Sequence, residues 1–504
     1  MGEIGTREKG KGKRESALFP FAICLIPFLL LCTLNSAGYR YGASDLAFYI
    51  PAALEKLDPG LFPRDGSLIA SQARLTMIDE VIGGLARMTG LGLPALFALL
   101  YVVTLSLLLG GAWLIGSRIY RSIWTTIALV AALTLKHAIA RSGTNTLEGY
   151  FHPRQLAFSL GALAIAALLR RRIAAAALLV LAAGLLHPTT ALWFSVWIGV
   201  ATYLNEPRYR SSIILLTCLG SVALVWALVS GPLAGRLVFM DSAWLGTLET
   251  KDYLFPLEWP LYAWLLNLGY APIVLWIFRR RQTAAVLTDG ERGVMWGCLS
   301  LVGIFAVALP LNAAHLAIVV QLQTPRVFWM LDFLGTVYAV WALAEGATVP
   351  MRRGSLALVA IVVFSISRSA YIKFVKFPDR PVAEIGIADT DWGRVMAWAR
   401  TTPRDSGWIA DPAHAILYGT SVRVAGERDV FVEGVKDAAI GMYERDVAMR
   451  TRDRLAEIES FDEMTPERAR AIATRYALDY LVTSQALDLP LAYSSGTLRV
   501  YRLR

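Results

Sequence analysis

The chain has 504 residues, of which 56% are hydrophobic and only 17% charged, with a formal charge of +10. Its mean hydropathy of +0.50 is too high for an ordinary soluble domain, whose surface demands more charge. The basic excess lies in short segments between apolar runs, where orientation and anionic lipid account for it, so the charge gives no ground for a nucleic-acid partner.

Residues 1–16 read as a basic cytoplasmic tail. Met1-Gly2-Glu3-Ile4-Gly5-Thr6 fits the myristoylation pattern, although one acyl chain adds little to a chain that crosses the bilayer many times. About eleven apolar runs follow, at 17–36, 93–115, 123–135, 156–169, 173–186, 189–204, 212–230, 259–278, 294–309, 327–344 and 355–372. The first ends near Ser36-Ala37-Gly38 as a signal peptide would, but its run of roughly twenty residues exceeds a signal core, so an uncleaved span is expected. Several of the other runs are short for a ~30 Å hydrocarbon core, so their helices should extend into polar flanks. Arg118/Arg121, Arg170-Arg171-Arg172, Arg208/Arg210, Arg279-Arg280-Arg281 and Arg352/Arg353 punctuate alternate ends of these runs. Arginine is retained on the cytoplasmic side, which places the N-terminus inside and, with an odd number of spans, the C-terminus outside. Residues 310–325 are the ambiguous stretch: the segment after His315 reads either as a re-entrant piece or as part of a span.

Three external segments carry the polar chemistry. In the first, 37–92, two stretches show helical spacing: Leu46, Tyr49, Ile50, Ala53, Leu54 and Leu57, then Met77, Ile78, Val81, Ile82 and Leu85. They read as amphipathic helices lying on the membrane surface. The second and third are 136–155 and 231–258. Residues 373–504 lose the spanning runs and read as one external soluble α/β domain, for which the length suffices. Strands are expected at 408–410, 422–424, 430–432 and 480–482, and helices at 392–400, 436–458 and 466–477. Thr465 and Pro466 suit an N-cap and first helical position, and Ser494-Ser495-Gly496 suits a hairpin turn. The whole is a polytopic α-helical membrane protein of about eleven spans, residues 17–372, with that domain at its end. Cys24, Cys32, Cys218 and Cys298 fall in apolar runs without a CxxC, so neither a zinc site nor a disulfide framework is indicated. Arginine in excess of lysine and the absence of an N-x-[ST] sequon suit a bacterial inner membrane.

Asp45 opens the first surface helix. An acid there is either an N-cap favoured by the helix dipole or a general base held at the membrane boundary. Asp65 follows in Gly60-Leu61-Phe62-Pro63-Arg64-Asp65. Glu148, His152 and Arg154 crowd into 148–154, and Arg154 stands at the outer end of a span, where positive charge has no topological duty. It either snorkels or grips a phosphate bidentately. His187 sits in a tight external turn, as a turn residue or as a donor to phosphate. Arg326 opens the tenth run, again on the outer side. Asp332 lies inside it, where a carboxylate is functional or paired. No nucleotide-binding, serine-hydrolase or HExxH motif occurs.

With Asp45, Tyr49, Ala52, Leu54, Gly60 and Asp65 after the first span, Glu148 between the third and fourth, and an external tail, the chain resembles the GT-C superfamily of polytopic membrane glycosyltransferases. Oligosaccharyltransferase catalytic subunits, protein mannosyltransferases and lipid-A aminoarabinose transferases belong to it. The resemblance implies a polyprenyl-phosphate-linked sugar as donor, an acceptor hydroxyl on a glycan, lipid or protein, and inversion at the anomeric carbon. It implies Asp45 as general base, Glu148 and Asp65 as a second acidic site, and His152, Arg154, His187 and Arg326 as phosphate or donor ligands. A divalent ion (Mg or Mn), held by Asp45 and Glu148, accompanies some members. A single acid stands where paired acids are familiar, and the tail lacks a tryptophan-rich peptide-binding signature, which argues against transfer to asparagine. Two other classes compete. A transporter or flippase of a lipid-linked substrate would need internal repeats and a midplane charge, for which Asp332 is the candidate. A non-catalytic membrane assembly protein would bind partners through its tail.

Overall fold

Helix formation follows the hydropathy closely. In a computed structural model that describes residues 21–346 and 352–504, a helix covers most of the described part of each apolar run: Phe21–Asn35, Leu93–Ile119, Ile123–Ala132, Pro153–Leu168, Ile173–Leu186, Pro188–Asn205, Arg210–Val229, Leu261–Thr283, Glu291–Ala313, Val327–Ala344 and Arg352–Tyr371. The basic tail and acylation pattern within 1–16 lie outside the described residues. Among the described residues, six helices are long and apolar enough to cross a membrane. The expectation of about eleven spans is therefore met only in part. Ile123–Ala132, with 10 residues, rises only about 15 Å, half the hydrocarbon thickness.

The arginine clusters gather at one end of the bundle. Arg118 bonds the carbonyl of Leu169, Arg170 those of Leu114 and Ala166, and Arg281 that of Ile119. Arg171 and Arg208 share Glu206, while buried Arg281 holds Glu291 at 2.6 Å. Glycine allows close helix packing in the bundle. Between Pro188–Asn205 and Glu291–Ala313, Gly293 and Gly297 sit one turn apart, and a Cβ on Gly297 would lie 2.4 Å from the Trp197 carbonyl oxygen. Trp197 Nε1 donates to the carbonyl of Val294 across the same contact, at 2.7 Å.

At the other end, the first loop contains Leu46–Leu57, Gly66–Ala73 and Ile78–Thr89. The expectation of helices lying on the membrane surface is corrected for the first of these. Leu46, Tyr49, Ile50, Ala52 and Ala53 are all buried, and the helix packs on both other loop helices and on Val422–Ala425 of the tail. Its apolar stripe faces protein. The short helix Gly66–Ala73 had no clear periodicity to announce it.

The tail builds a 5-stranded sheet in the spatial order Asp429–Val430, Gly407–Ile409, Tyr480–Thr483, Leu498–Arg502, Leu491–Ser495. The first pairings are parallel and the last two antiparallel. Side-chain alternation fills both faces. Trp408, Tyr480, Val482 and Val500 meet the helix Asp391–Ala399, and Ile409, Leu481 and Tyr501 meet Pro466–Tyr476. Thr465 caps the latter through Arg468 N–H, and Gly496 turns the hairpin at φ +55°. Two expectations fail here. Residues 422–424 are helical rather than extended, because Ser421 caps the turn by accepting from Val424 N–H at 3.2 Å. The expected helix 436–458 is two, Gly434–Ile440 and Arg445–Glu457, separated where Gly441 runs close to Ala448. Nor does the tail stand apart. Ala383–Glu384 pairs in parallel with Tyr39–Arg40, and residues 434–443 lie against the segments 236–258 and 317–323.

Candidate functional site

Asp45 occupies the N-cap of Leu46–Leu57, yet its side chain makes no capping bond. The plain capping role is therefore unfilled, and the carboxylate is spent elsewhere. Oδ1 accepts from Lys436 Nζ at 2.8 Å, and Oδ2 lies 3.2 Å from His152 Nε2.

Two His-Pro steps shape the opposite wall. His152 caps Pro153–Leu168 and His187 caps Pro188–Asn205, each followed by proline at the first helical position. His152 Nδ1 accepts from the backbone N–H of Arg154 at 3.0 Å. His187 Nδ1 accepts from Thr190 N–H at 3.3 Å and faces the Thr190 hydroxyl at 2.9 Å. With Nδ1 used as acceptor, the neutral ring carries its proton on Nε2. His152 thus donates to Asp45. Burial, joined by the Arg154 guanidinium, pulls the His152 imidazole down to about 3, and burial with Arg326 holds His187 well below the ordinary histidine range. Burial alone would raise the Asp45 carboxyl, but Lys436, with His152 and Arg154, holds it well below the carboxylate range. The site therefore offers an ionised carboxylate beside two neutral imidazole donors.

Both guanidiniums expected at the outer face reach the same place. Arg154 is 3% exposed and lies 3.4 Å from Glu148 Oε1. Arg326 has no carboxylate partner among the described residues, and its buried Nε has no hydrogen-bond partner. Asp45, His152, Arg154, His187 and Arg326 line one cavity of about 70 Å³, closed by Tyr49, Tyr253 and Tyr443 and by Gln72 and Gln323. A volume of this size holds a few waters, so a wall must move to admit a larger ligand. Two helix N-termini, two neutral N–H donors and an unpaired guanidinium give it the groups with which an anion pairs, and one carboxylate stands at its edge.

Glu148 lies behind Arg154, bonded by Asn145 at 3.2 Å and within 3.9 Å of Lys136. Burial raises its carboxyl in spite of these cations. Asp65 is elsewhere. It is fully buried, holds Arg423 Nε at 2.7 Å and Arg450, and accepts from Val430 N–H at 3.1 Å. Although burial opposes ionisation, Arg423 and Arg450 hold it at about 2. With every oxygen engaged and no share in the cavity lining, it joins the tail to the first loop instead of forming a second acidic site. Asp332 is paired, with His137 Nδ1 at 3.2 Å.

The expected metal ligands do not suit a divalent ion. Asp45 and Glu148 face ammonium, imidazole N–H and guanidinium groups, and no cluster of three or more His, Cys, Asp or Glu forms among the described residues. Lys436 is the neighbour of Asp45 missed from the sequence, since it lies 391 positions away with no local motif. Gln72, Tyr253 and Tyr443 were missed for the same reason, and Gln323, three positions before Arg326, carried no motif of its own. Compared with protein-family models and with curated proteins, the chain matches none.

Proposed function

We propose that the protein is a multi-pass membrane glycosyltransferase that moves a sugar from a polyprenyl-phosphate donor to an acceptor hydroxyl. The single observation that carries this reading is the meeting of the Asp45 carboxylate with Arg154 and an uncompensated Arg326 in one cavity. A phosphate fits the guanidiniums and the Nε2–H donors of His152 and His187, which stabilise the negative charge that gathers as it leaves. Asp45 then accepts the acceptor's O–H proton. The acceptor oxygen bonds to the anomeric carbon, and the bond from that carbon to the phosphate oxygen breaks with its electron pair retained by phosphate. Attack opposite the leaving phosphate inverts the centre. A carboxylate held below its usual range is a weak base, which suits a transition state in which bond breaking leads and the proton transfers late.

In this reading all eleven apolar helices are embedded, with the shorter ones extended by their polar flanks. The arginine-rich end faces the cytoplasm of a bacterial inner membrane, and the cavity opens on the external side. Tyr49, Tyr253 and Tyr443 with Gln72 and Gln323 supply stacking and hydrogen bonds for a sugar ring. The test is transfer by the purified protein from polyprenyl-phosphate sugars, with Asp45→Asn as the variant. A loss of about 10²-fold or more in kcat is expected for a general base. Undiminished transfer by the variant removes the base, and no transfer by the wild type from a panel of such donors removes the reading.

A further inference from the structure

The cation on Asp45 comes from the tail, and its delivery is built rather than incidental. Lys436 stands on Gly434–Ile440, bonds Asp45 at 2.8 Å and lies over the Phe48 ring at 5.4 Å. Its segment is gripped through the backbone from the loop 231–258 and from the stretch around Gln321. Lys251 Nζ donates to the Val435 carbonyl at 3.0 Å, Trp244 Nε1 to that of Gly441 at 2.8 Å, and Gln321 Nε2 to that of Met442 at 3.0 Å. Ile440, Met442 and Tyr443 of the same segment wall the cavity.

An anion seated between Arg154 and Arg326 shares a small, water-poor space with the Asp45 carboxylate, and like charges there repel strongly. The charged groups facing Asp45 are few. Arg154 and neutral His152 come from the helix behind, Glu148 from the loop before it, and Lys251 from the segment under the tail. Arg154 already answers Glu148. Among the described residues Lys436 is the only lysine or arginine within ion-pair distance of Asp45.

We propose, resting on the transferase reading above, that Lys436 is a working part of the site. It is the counter-ion that keeps Asp45 paired in the empty cavity and lets a lipid-linked phosphate and this carboxylate occupy the cavity together. The C-terminal segment thereby sets donor affinity.

The experiment is equilibrium binding of farnesyl monophosphate, a sugar-free probe, to the purified full-length protein in detergent. Lys436→Met weakens binding about tenfold or more, as expected for loss of a charge-assisted contact, and Lys436→Arg stays within about threefold of the wild type. In the double variant Asp45→Asn with Lys436→Met, most of the affinity returns, because the charge needing compensation is gone. A Lys436→Met protein that binds like the wild type overturns the proposal. So does a double variant as weak as the single one, which would make Lys436 a strut for the wall. Absence of saturable binding by the wild type removes the phosphate site itself. Because the probe carries no sugar, its binding is independent of whether transfer occurs. Transfer without any Lys436 effect removes the counter-ion and leaves the transferase.

Discussion

A single residue in the tail shows how burial sets charge in this molecule. Arg423 gives its shortest contacts to Asp65 at 2.7 Å and Asp437 at 2.6 Å, leaving Glu433 at 3.5 Å. Glu433 is fully buried, and burial pushes its carboxyl to about 7 despite Arg423. The free value is about 4.3, so between roughly pH 4.3 and 7 the folded protein binds more protons than the unfolded chain. Stability conferred by this residue is therefore present below that window and lost as pH rises through it. Glu433→Gln should remove that slope. Thermal denaturation should show variant and wild type close together at pH 5 and the variant higher by about a few degrees at pH 7.5. Asp429, which burial and Asp65 push to about 6, leaves a residual slope below that. An identical pH slope in both proteins would show that Glu433 is ionised throughout. None of this was visible in sequence. Arg423 sits in 422–424, expected as a strand, and Glu433 directly follows the expected strand 430–432, and only the fold reveals that Arg423 is buried among acids.

Secondary structure was most legible where one physical term dominates. The apolar runs became helices because a long apolar segment has no better way to satisfy its backbone. The boundary set by capping at Thr465 could be read from residue type, whereas the cap that His152 supplies could not. Breaks set by packing could not: the division of 436–458 depends on Gly441 passing close to Ala448. The close approach of Glu291–Ala313 to Pro188–Asn205 is a second case. Its Gly293-Val294-Met295-Trp296-Gly297 spacing places two small residues on one face, as close helix pairs in membranes require. Gly297→Val forces a side chain against the Trp197 carbonyl, whereas Gly303 on the same helix has open space where its Cβ would be. Gly297→Val is expected to cost about 2 kcal/mol or more and to break the Trp197–Val294 hydrogen bond, with Gly303→Val close to neutral. Denaturation of the two variants in detergent distinguishes them, and equal losses would mean that the helices do not pack through Gly297.

The arrangement of the whole molecule follows from where charge is tolerated. Arginines from four separate stretches meet at one end of the bundle, tied by Arg118, Arg170, Arg171, Arg208 and Arg281 to neighbouring helix ends. The cavity residues and the tail meet at the other. This convergence was legible in sequence because each cluster and each external polar group stands at a helix end. The pairing of Asp45 with Lys436 was not, because the two stand 391 positions apart with the whole bundle between them in the chain. If retention of arginine sets orientation, the tail faces outward and the loop between Leu261–Thr283 and Glu291–Ala313 faces the cytoplasm. Cys24, Cys32, Cys218 and Cys298 can be replaced to give a thiol-free background. Single cysteines are then placed at exposed Asp453 and at exposed Asp289. In intact spheroplasts a membrane-impermeant maleimide should label the Asp453→Cys protein directly and the Asp289→Cys protein only after permeabilisation. The opposite pattern would put the cavity on the cytoplasmic side, where the arginine clusters would face outward against their electrostatic preference. The donor would then have to be presented from inside the cell, and the external transferase reading would fall although every distance within the cavity stayed the same.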